Sequence, residues 1–241
     1  MNVKKIERER GDKKRGIMDR LKEKRNKQMK TSKQKMEEAK RIGKGEIGYY
    51  GLEDWWLNKF TEEERNIIRN TYQPMGLGSD SLVQNEIVSS SQSKLAFLSG
   101  LSSWFKKPEY YPIAKKILEK AETFVDKTDD ILDLHFFYQN KIQVYYRNRD
   151  IDSNALDLAI HACKQQISIS KQAAKAFKKE LKGNLPEHVG YRQLAIIRDK
   201  QKDYESVIQI SKQAKSEGWN GDWDKRIEKA MQKLEKLKKD K

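Results

Sequence analysis

From residue 49 to the C-terminus, apolar residues recur every three or four positions, which is the spacing of one face of an α-helix. The clearest runs with this period are Leu95, Leu98, Leu101 and Phe105, and Ile113, Ile117, Ala121 and Phe124. No stretch of six residues alternates between apolar and polar positions, so the pattern predicts no β-strand. The sequence therefore predicts an all-α fold.

Capping and helix-breaking residues mark where the predicted helices begin and end. Thr61 stands three residues before Glu64, a capping-box pattern in which each side chain accepts a hydrogen bond from the other's backbone N–H. The residues predicted to begin or end later helices are Pro112, Asp129, Ser153, Gly183, Pro186, Gly218 and Asp222. The segment PMGLGSDS is predicted to be a connecting loop, because no Gly-Lys-Ser/Thr follows its glycines as a phosphate-binding loop requires. Short loops between such helices place sequential helices antiparallel, as hairpins.

Positive charge is concentrated in the first 45 residues. The chain carries a formal net charge of +15, and residues 1–45, with 18 Lys and Arg against 7 Asp and Glu, account for +11 of it. This segment has no aromatic residue, so it cannot bury enough apolar surface to offset the entropy lost on ordering. We therefore expect 1–45 to be a basic arm, partly helical or disordered, and 46–241 to be an all-helical domain. Within that domain, we expect N-terminal helices in 46–128 and repeat-like hairpins plus a capping helix in 129–241.

The arm contains the residues that we expect to contact a polyanion. They are Lys13, Lys14, Arg15, Arg20, Lys22, Lys24 and Arg25. Because no aromatic ring lies beside them to stack on a base, such contacts would be independent of sequence and would weaken steeply with salt. A thin apolar stripe, which includes Ile17, Met18 and Leu21, leaves a membrane surface, an acidic partner and a solvated tail as alternatives.

One stretch, YRQLAIIRDKQKDYESVIQISKQAKSEGW (191–219), combines aromatic and small residues at characteristic places in two successive helices. The matching positions are Tyr191, Leu194 and Ala195 on the first helix, Asp203 and Tyr204 at the turn, and Ala214 on the second helix. This stretch resembles a tetratricopeptide repeat (TPR), with a weaker likeness over 130–240. It departs from the family pattern at Arg198, Val207, Ser211 and Trp219. The resemblance implies antiparallel helical hairpins stacked as a short TPR-like α-solenoid.

The resemblance also implies an inner groove, lined by the first helix of each hairpin, that receives an extended peptide or a partner helix. Carried onto this chain, the groove would include Arg192, Ile196, Asp199 and Lys200, with Lys141 and Tyr145 from the upstream hairpin. Arg192 and Lys200 can hold a carboxylate or a phosphate. On an exposed helix, the same charges are also typical of an ordinary solvated face.

No arrangement of residues indicates a catalytic centre, a metal site or a cofactor. His161 and Cys163 are two residues apart on a predicted helix and point about 200° apart, so they cannot bind one metal ion. Cys163 is the single cysteine, which excludes an internal disulfide, and its apolar neighbours are typical of a buried residue. The sequence has no GxSxG, kinase or dinucleotide motif.

These observations predict a non-enzymatic protein–protein interaction module, a TPR-like adaptor or regulator whose cationic arm adds electrostatic affinity. The alternatives are a nucleic-acid-associated protein that contacts phosphates through the arm, and an enzyme or inhibitor whose site cannot be recognised in the sequence. No apolar run approaches ~18 residues and the N-terminus is charged, so we expect neither a transmembrane segment nor a secretory signal. Together with the single cysteine, this favours a cytoplasmic protein. The Lys-, Ile- and Asn-rich composition favours a bacterial or phage source.

Overall fold

The architecture is described from a computed structural model. The described residues are 24, 45–75, 80–84, 87–181, 183 and 185–239. They contain eleven α-helices and no β-strand, and their one β pairing is an isolated bridge between Glu187 and Asn220. The prediction of an all-α fold is therefore confirmed for these residues. The chain divides into two compact units, Met1–Val88 and Ser89–Lys241.

From Gly45 onward, the described residues of the first unit contain three short helices. They are α1 (Glu46–Tyr49), α2 (Glu53–Lys59) and α3 (Glu62–Thr71). The predicted capping box begins α3, because Thr61 Oγ1 accepts from the Glu64 N–H at 3.2 Å and Glu64 Oε2 accepts from the Thr61 N–H at 2.9 Å. These two bonds satisfy two of the N–H groups that every helix start leaves without an intrahelical partner.

A buried carboxyl group links the start of α1 to the residues that follow α3. Glu46 is 5% exposed, and its oxygens accept hydrogen bonds from the hydroxyls of Tyr72 and Ser81, each at 3.0 Å. Gly45 lies so close to the backbone of Leu82 that a Cβ would be 2.3 Å from it. Burial raises the pKa of Glu46, and the two hydroxyl donors oppose that change.

The described residues of the second unit contain eight α-helices. They are α4 (Lys94–Ser102), α5 (Tyr111–Glu122), α6 (Ile131–Arg147), α7 (Ala155–Ser168), α8 (Ser170–Glu180), α9 (Val189–Lys200), α10 (Tyr204–Glu217) and α11 (Trp223–Lys239). Three 3₁₀ turns also occur, at Ser103–Phe105, Pro108–Tyr110 and Val125–Lys127. The residues that precede α7 and α9 are Asn154 and His188 rather than Ser153 and Pro186. His188 is the N-cap of α9: its Nδ1 accepts a hydrogen bond from the Tyr191 N–H at 3.3 Å.

Helix α6 lies at the centre of this unit and packs against α4, α5, α7, α8 and α9. Because α4 packs on both α5 and α6, the residues from Ser89 to 128 belong to the C-terminal unit. The sequence analysis expected N-terminal helices in 46–128, a range that includes these residues. The grouping depends on contacts between helices distant in sequence, which local periodicity does not record.

Helices α9 and α10 form an antiparallel pair. Tyr191, near the start of α9, shares a buried cluster with Ala214, near the end of α10, while Ala195 shares another with Val207. Gly218, in the left-handed conformation at φ 84°, ends α10, as the sequence predicted. Helix α11 then packs against α10.

A glutamine fixes the approach of α7 to both α6 and α9. Gln166 is fully buried; its Nε2 donates to the carbonyl of His135 at 2.9 Å, and its Oε1 accepts from the N–H of Gly190 at 2.7 Å. A Cβ at position 190 would lie 2.8 Å from that Oε1. Glycine therefore permits this close contact between α9 and α7.

Within the described segments, no helix has both the length and the continuous apolar character needed to span a bilayer.

Candidate functional site

Four of the residues predicted to line a groove lie on one face of α9, and three of them pair with side chains of other segments. Arg192 lies 3.4 Å from Glu187 in the segment before α9, measured from Nε to Oε1. Asp199 accepts two hydrogen bonds from the ammonium of Lys233 on α11, at 2.7 and 2.8 Å. These four residues are Arg192, Ile196, Asp199 and Lys200, and all are at least partly exposed. This α9 face is therefore accessible and is joined to α11.

The two residues predicted from the upstream hairpin are not on this surface. Tyr145 is 5% exposed and packs edge-on against Tyr111 of α5. Lys141 is 6% exposed; its ammonium pairs with Glu122 and donates to Gln165 at 3.3 Å. Both residues must be removed from the predicted groove. The physical reason is that α6 is covered on several sides, so an inner and an outer face cannot be distinguished from its sequence.

Two neighbouring α6 residues continue the accessible α9 face instead. Lys200 Nζ donates to the hydroxyl of Tyr146 at 3.1 Å, so the C-terminal ends of α9 and α6 meet. One turn earlier on α6, Gln143 Oε1 accepts from Lys106 Nζ at 2.5 Å. Arg149 places its guanidinium 4.4 Å from the centre of the Tyr146 ring. These contacts extend the surface from α9 across α6 to the segment that follows α4.

Next to Asp199, the accessible α9 face borders a basic cleft beside α11. The cleft has a volume of about 240 Å³ and is lined by Asp199, Val207, Asp222, Lys225, Arg226, Lys229 and Lys233. Two of these cations are paired, Lys233 with Asp199 and Arg226 with Asp222 at 3.0 Å. Lys225 and Lys229 pair with no acidic residue in the described part of the chain, so the cleft has a positive excess.

We call this set of partly or fully exposed side chains, which the contacts above link, the basic surface. Its members are Lys106, Gln143, Tyr146, Arg147, Arg149, Arg192, Ile196, Asp199, Lys200, Arg226, Lys229 and Lys233. Sequence reasoning found only its α9 portion. The basic residues in the last turns of α6 and α11 can be recognised in the sequence. No local sequence pattern, however, indicated that the ends of these two helices lie beside α9.

The structure describes one of the seven residues that were predicted to contact a polyanion. Lys13, Lys14, Arg15, Arg20, Lys22 and Arg25 lie outside the described residues. Lys24 alone is described, with a helical backbone and an exposed side chain.

Two buried histidines lie next to each other where α6 meets the start of α9. The ring centres of His135 and His188 are 5.0 Å apart, and Trp219 stacks on His135 at 5.7 Å. Within the described chain, His135 Nδ1 and His188 Nε2 have no hydrogen-bond partner. Burial lowers the pKa of His135 to about 4 and that of His188 to about 3, the latter helped by the neighbouring His135. Both rings are therefore neutral at pH 7 and have a structural place in the core.

The remaining candidates for chemistry are also in the core. Cys163 is fully buried, and burial raises the pKa of its thiol to about 12, so it stays protonated and unreactive at neutral pH. Among the described residues, no group of three or more His, Cys, Asp or Glu is placed to bind a metal ion. Trp219 and Trp223 are 2% and 3% exposed, and Trp223 Nε1 donates to the carbonyl of Trp219 at 2.7 Å. This bond holds the start of α11 against the end of α10.

Along the basic surface, the described side chains offer charge and hydrogen-bonding groups. No family model, no curated protein and no solved structure matches this chain.

Proposed function

We propose that this protein is a non-enzymatic interaction module, a TPR-like adaptor or regulator that binds a protein or peptide along its helical surface. The N-terminal segment, with a net charge of +11 over residues 1–45, adds electrostatic affinity. The observation that carries the proposal is the continuity of the basic surface. Lys200 joins α9 to α6, and Asp199 joins α9 to α11, so one ligand can contact three helices.

The antiparallel pair of α9 and α10, followed by α11, supports the TPR-like interpretation. In the TPR family, the first helix of each pair lines the groove, and α9 is that helix here. Its side chains at 192, 196 and 199–200 recur every three or four residues and are accessible. A peptide lying across α9 would therefore meet Arg192 and Lys200 about two helical turns apart.

The experiment is selection of peptides from a random library on the full chain, followed by fluorescence anisotropy with the selected peptides. The double variant Arg192→Glu and Lys200→Glu is expected to weaken binding at least tenfold. A matched control, Lys164→Glu with Lys212→Glu, introduces the same charge change at exposed positions of α7 and α10. Binding that falls equally in both variants would contradict the groove, and failure to select any peptide would contradict the module.

The charge of residues 1–45 favours one alternative, a nucleic-acid-associated protein. It is tested with generic duplex and single-stranded DNA at about 50 mM salt, because binding of this kind weakens steeply as salt rises. The comparison variant replaces the seven predicted contact residues of the arm by glutamine in the full chain. Strong binding that this variant loses would favour the alternative, while equally weak binding by both proteins would exclude it.

A further inference from the structure

Three cations converge at the ends of neighbouring elements in the basic surface. Arg147 is the last residue of α6, Lys200 is the last residue of α9, and Lys106 directly follows the 3₁₀ turn after α4. The acceptors of the two lysines are neutral: the amide oxygen of Gln143 for Lys106 and the hydroxyl of Tyr146 for Lys200. Since Gln143, Tyr146 and Arg147 lie within the last five residues of α6, the three cations lie near one end of that helix.

Ion pairs among the described residues do not neutralise this group of cations. Within the described residues, none of Lys106, Arg147 and Lys200 forms an ion pair, and the adjacent acids have other partners. Asp150 pairs with Arg149 at 3.2 Å, and Asp199 pairs with Lys233. The pKa of Lys106 is lowered first by burial and then by the positive charge of Arg147.

The helix ends offset only part of this charge. The C-terminus of a helix carries roughly half a negative charge, so the ends of α6 and α9 together supply about one. The three cations carry three positive charges, so after this offset of about one negative charge an excess of about two positive charges remains. A ligand that presents two acidic groups would balance this excess with charge-assisted hydrogen bonds.

We propose that Lys106, Arg147 and Lys200 bind the carboxylates of an acidic peptide segment. This inference rests on the proposed function and deepens it, because it names the chemistry of the partner. Nucleic acid fits less well, since the ring of Tyr146, whose hydroxyl accepts from Lys200, is covered: Arg149 lies 4.4 Å and Lys200 5.7 Å from its centre. A base would have to displace them before it could stack.

The test uses the full chain and two labelled probes, hexaglutamate and hexaserine, in anisotropy titrations at constant ionic strength. The chain is expected to bind hexaglutamate and not hexaserine. The variant Arg147→Gln with Lys200→Gln is expected to lose at least tenfold in affinity for hexaglutamate. The control Lys164→Gln with Lys212→Gln removes the same charge from exposed positions and is expected to lose less than twofold. Equal losses in the two variants would overturn the site, because general charge attraction would then explain the binding.

Two further results separate this inference from the proposed function. Library peptides that lack acidic residues, yet depend on Arg192 and Lys200, would support the module and overturn the acidic preference. Hexaglutamate binding that depends on Arg147, with no peptide selected from the library, would support the site and contradict the module. A 12-nucleotide single strand that displaces hexaglutamate, and binds more tightly through Arg147, would overturn the choice of a peptide ligand.

Discussion

The buried histidine pair makes the stability of the fold depend on pH in a direction that can be calculated. An unfolded histidine has a pKa near 6.5, whereas burial lowers that of His135 to about 4 and that of His188 to about 3. Between these values the unfolded chain binds protons that the folded chain does not, so acidification below pH 6.5 destabilises the fold. The stabilisation is fully present above pH 6.5 and is lost as the pH falls towards 4.

The size of this destabilisation follows from proton linkage: each additional proton bound by the unfolded chain changes the unfolding free energy by about 1.4 kcal/mol per pH unit. At pH 5, each histidine therefore costs about 2 kcal/mol of unfolding free energy relative to pH 7, and the pair about 4 kcal/mol. A domain of ordinary stability has about 5–15 kcal/mol in total, so this loss is large. Glu46 and Asp133, whose pKa values are raised mainly by burial, change stability in the opposite direction and reduce the net slope.

The decisive measurement is therefore a difference between variants. Urea unfolding of the full chain, followed by circular dichroism from pH 7 to pH 5, is compared with that of His135→Phe, which keeps a ring beside Trp219 and cannot titrate. Below pH 6.5, the unfolding free energy of His135→Phe is expected to change with pH less steeply than that of the unsubstituted chain. The expected difference in slope is about 1.4 kcal/mol per pH unit. The control His161→Gln replaces an exposed histidine of α7, so its slope shows how much of the change is specific to the buried ring. An unchanged slope in His135→Phe would refute the argument from the buried neutral ring.

Two further predictions concern stability and are measured by urea unfolding of the full chain. Gly190→Ala is expected to cost about 1–3 kcal/mol, because its Cβ would lie 2.8 Å from Gln166 Oε1 and 3.1 Å from the Cys163 carbonyl oxygen. Gly100→Ala in α4 is the control, because nothing lies within 4 Å of its new Cβ, and it is expected to stabilise the fold by about 0.5–1 kcal/mol. If Gly190→Ala and Gly100→Ala changed the unfolding free energy in the same direction, the close packing of α9 on α7 would be contradicted. Thr61→Ala removes the oxygen that caps α3 and is expected to cost about 1 kcal/mol, while Thr61→Ser keeps that oxygen and most of the stability; equal losses would exclude the cap as the cause.

The α6 helix shows why the candidate site could be predicted only in part. Its 17 residues contain apolar and aromatic side chains on several faces, because five other helices pack around it. The helical period therefore identified the element but not its open face. Lys141 and Tyr145 were placed in the groove, whereas the structure buries both and exposes Arg147.

What the sequence by itself determined is local. The period of apolar residues, the Thr61–Glu64 capping box and the stop at Gly218 each depend on groups a few residues apart, and the structure confirms all three. The tertiary structure alone brought Lys106, Arg147 and Lys200 together, although they are 41 and 53 residues apart. It also placed His135 beside His188. The reason is physical: a helix forms from interactions three or four residues along the chain, whereas the meeting of helix faces depends on packing among distant segments, which no local pattern records.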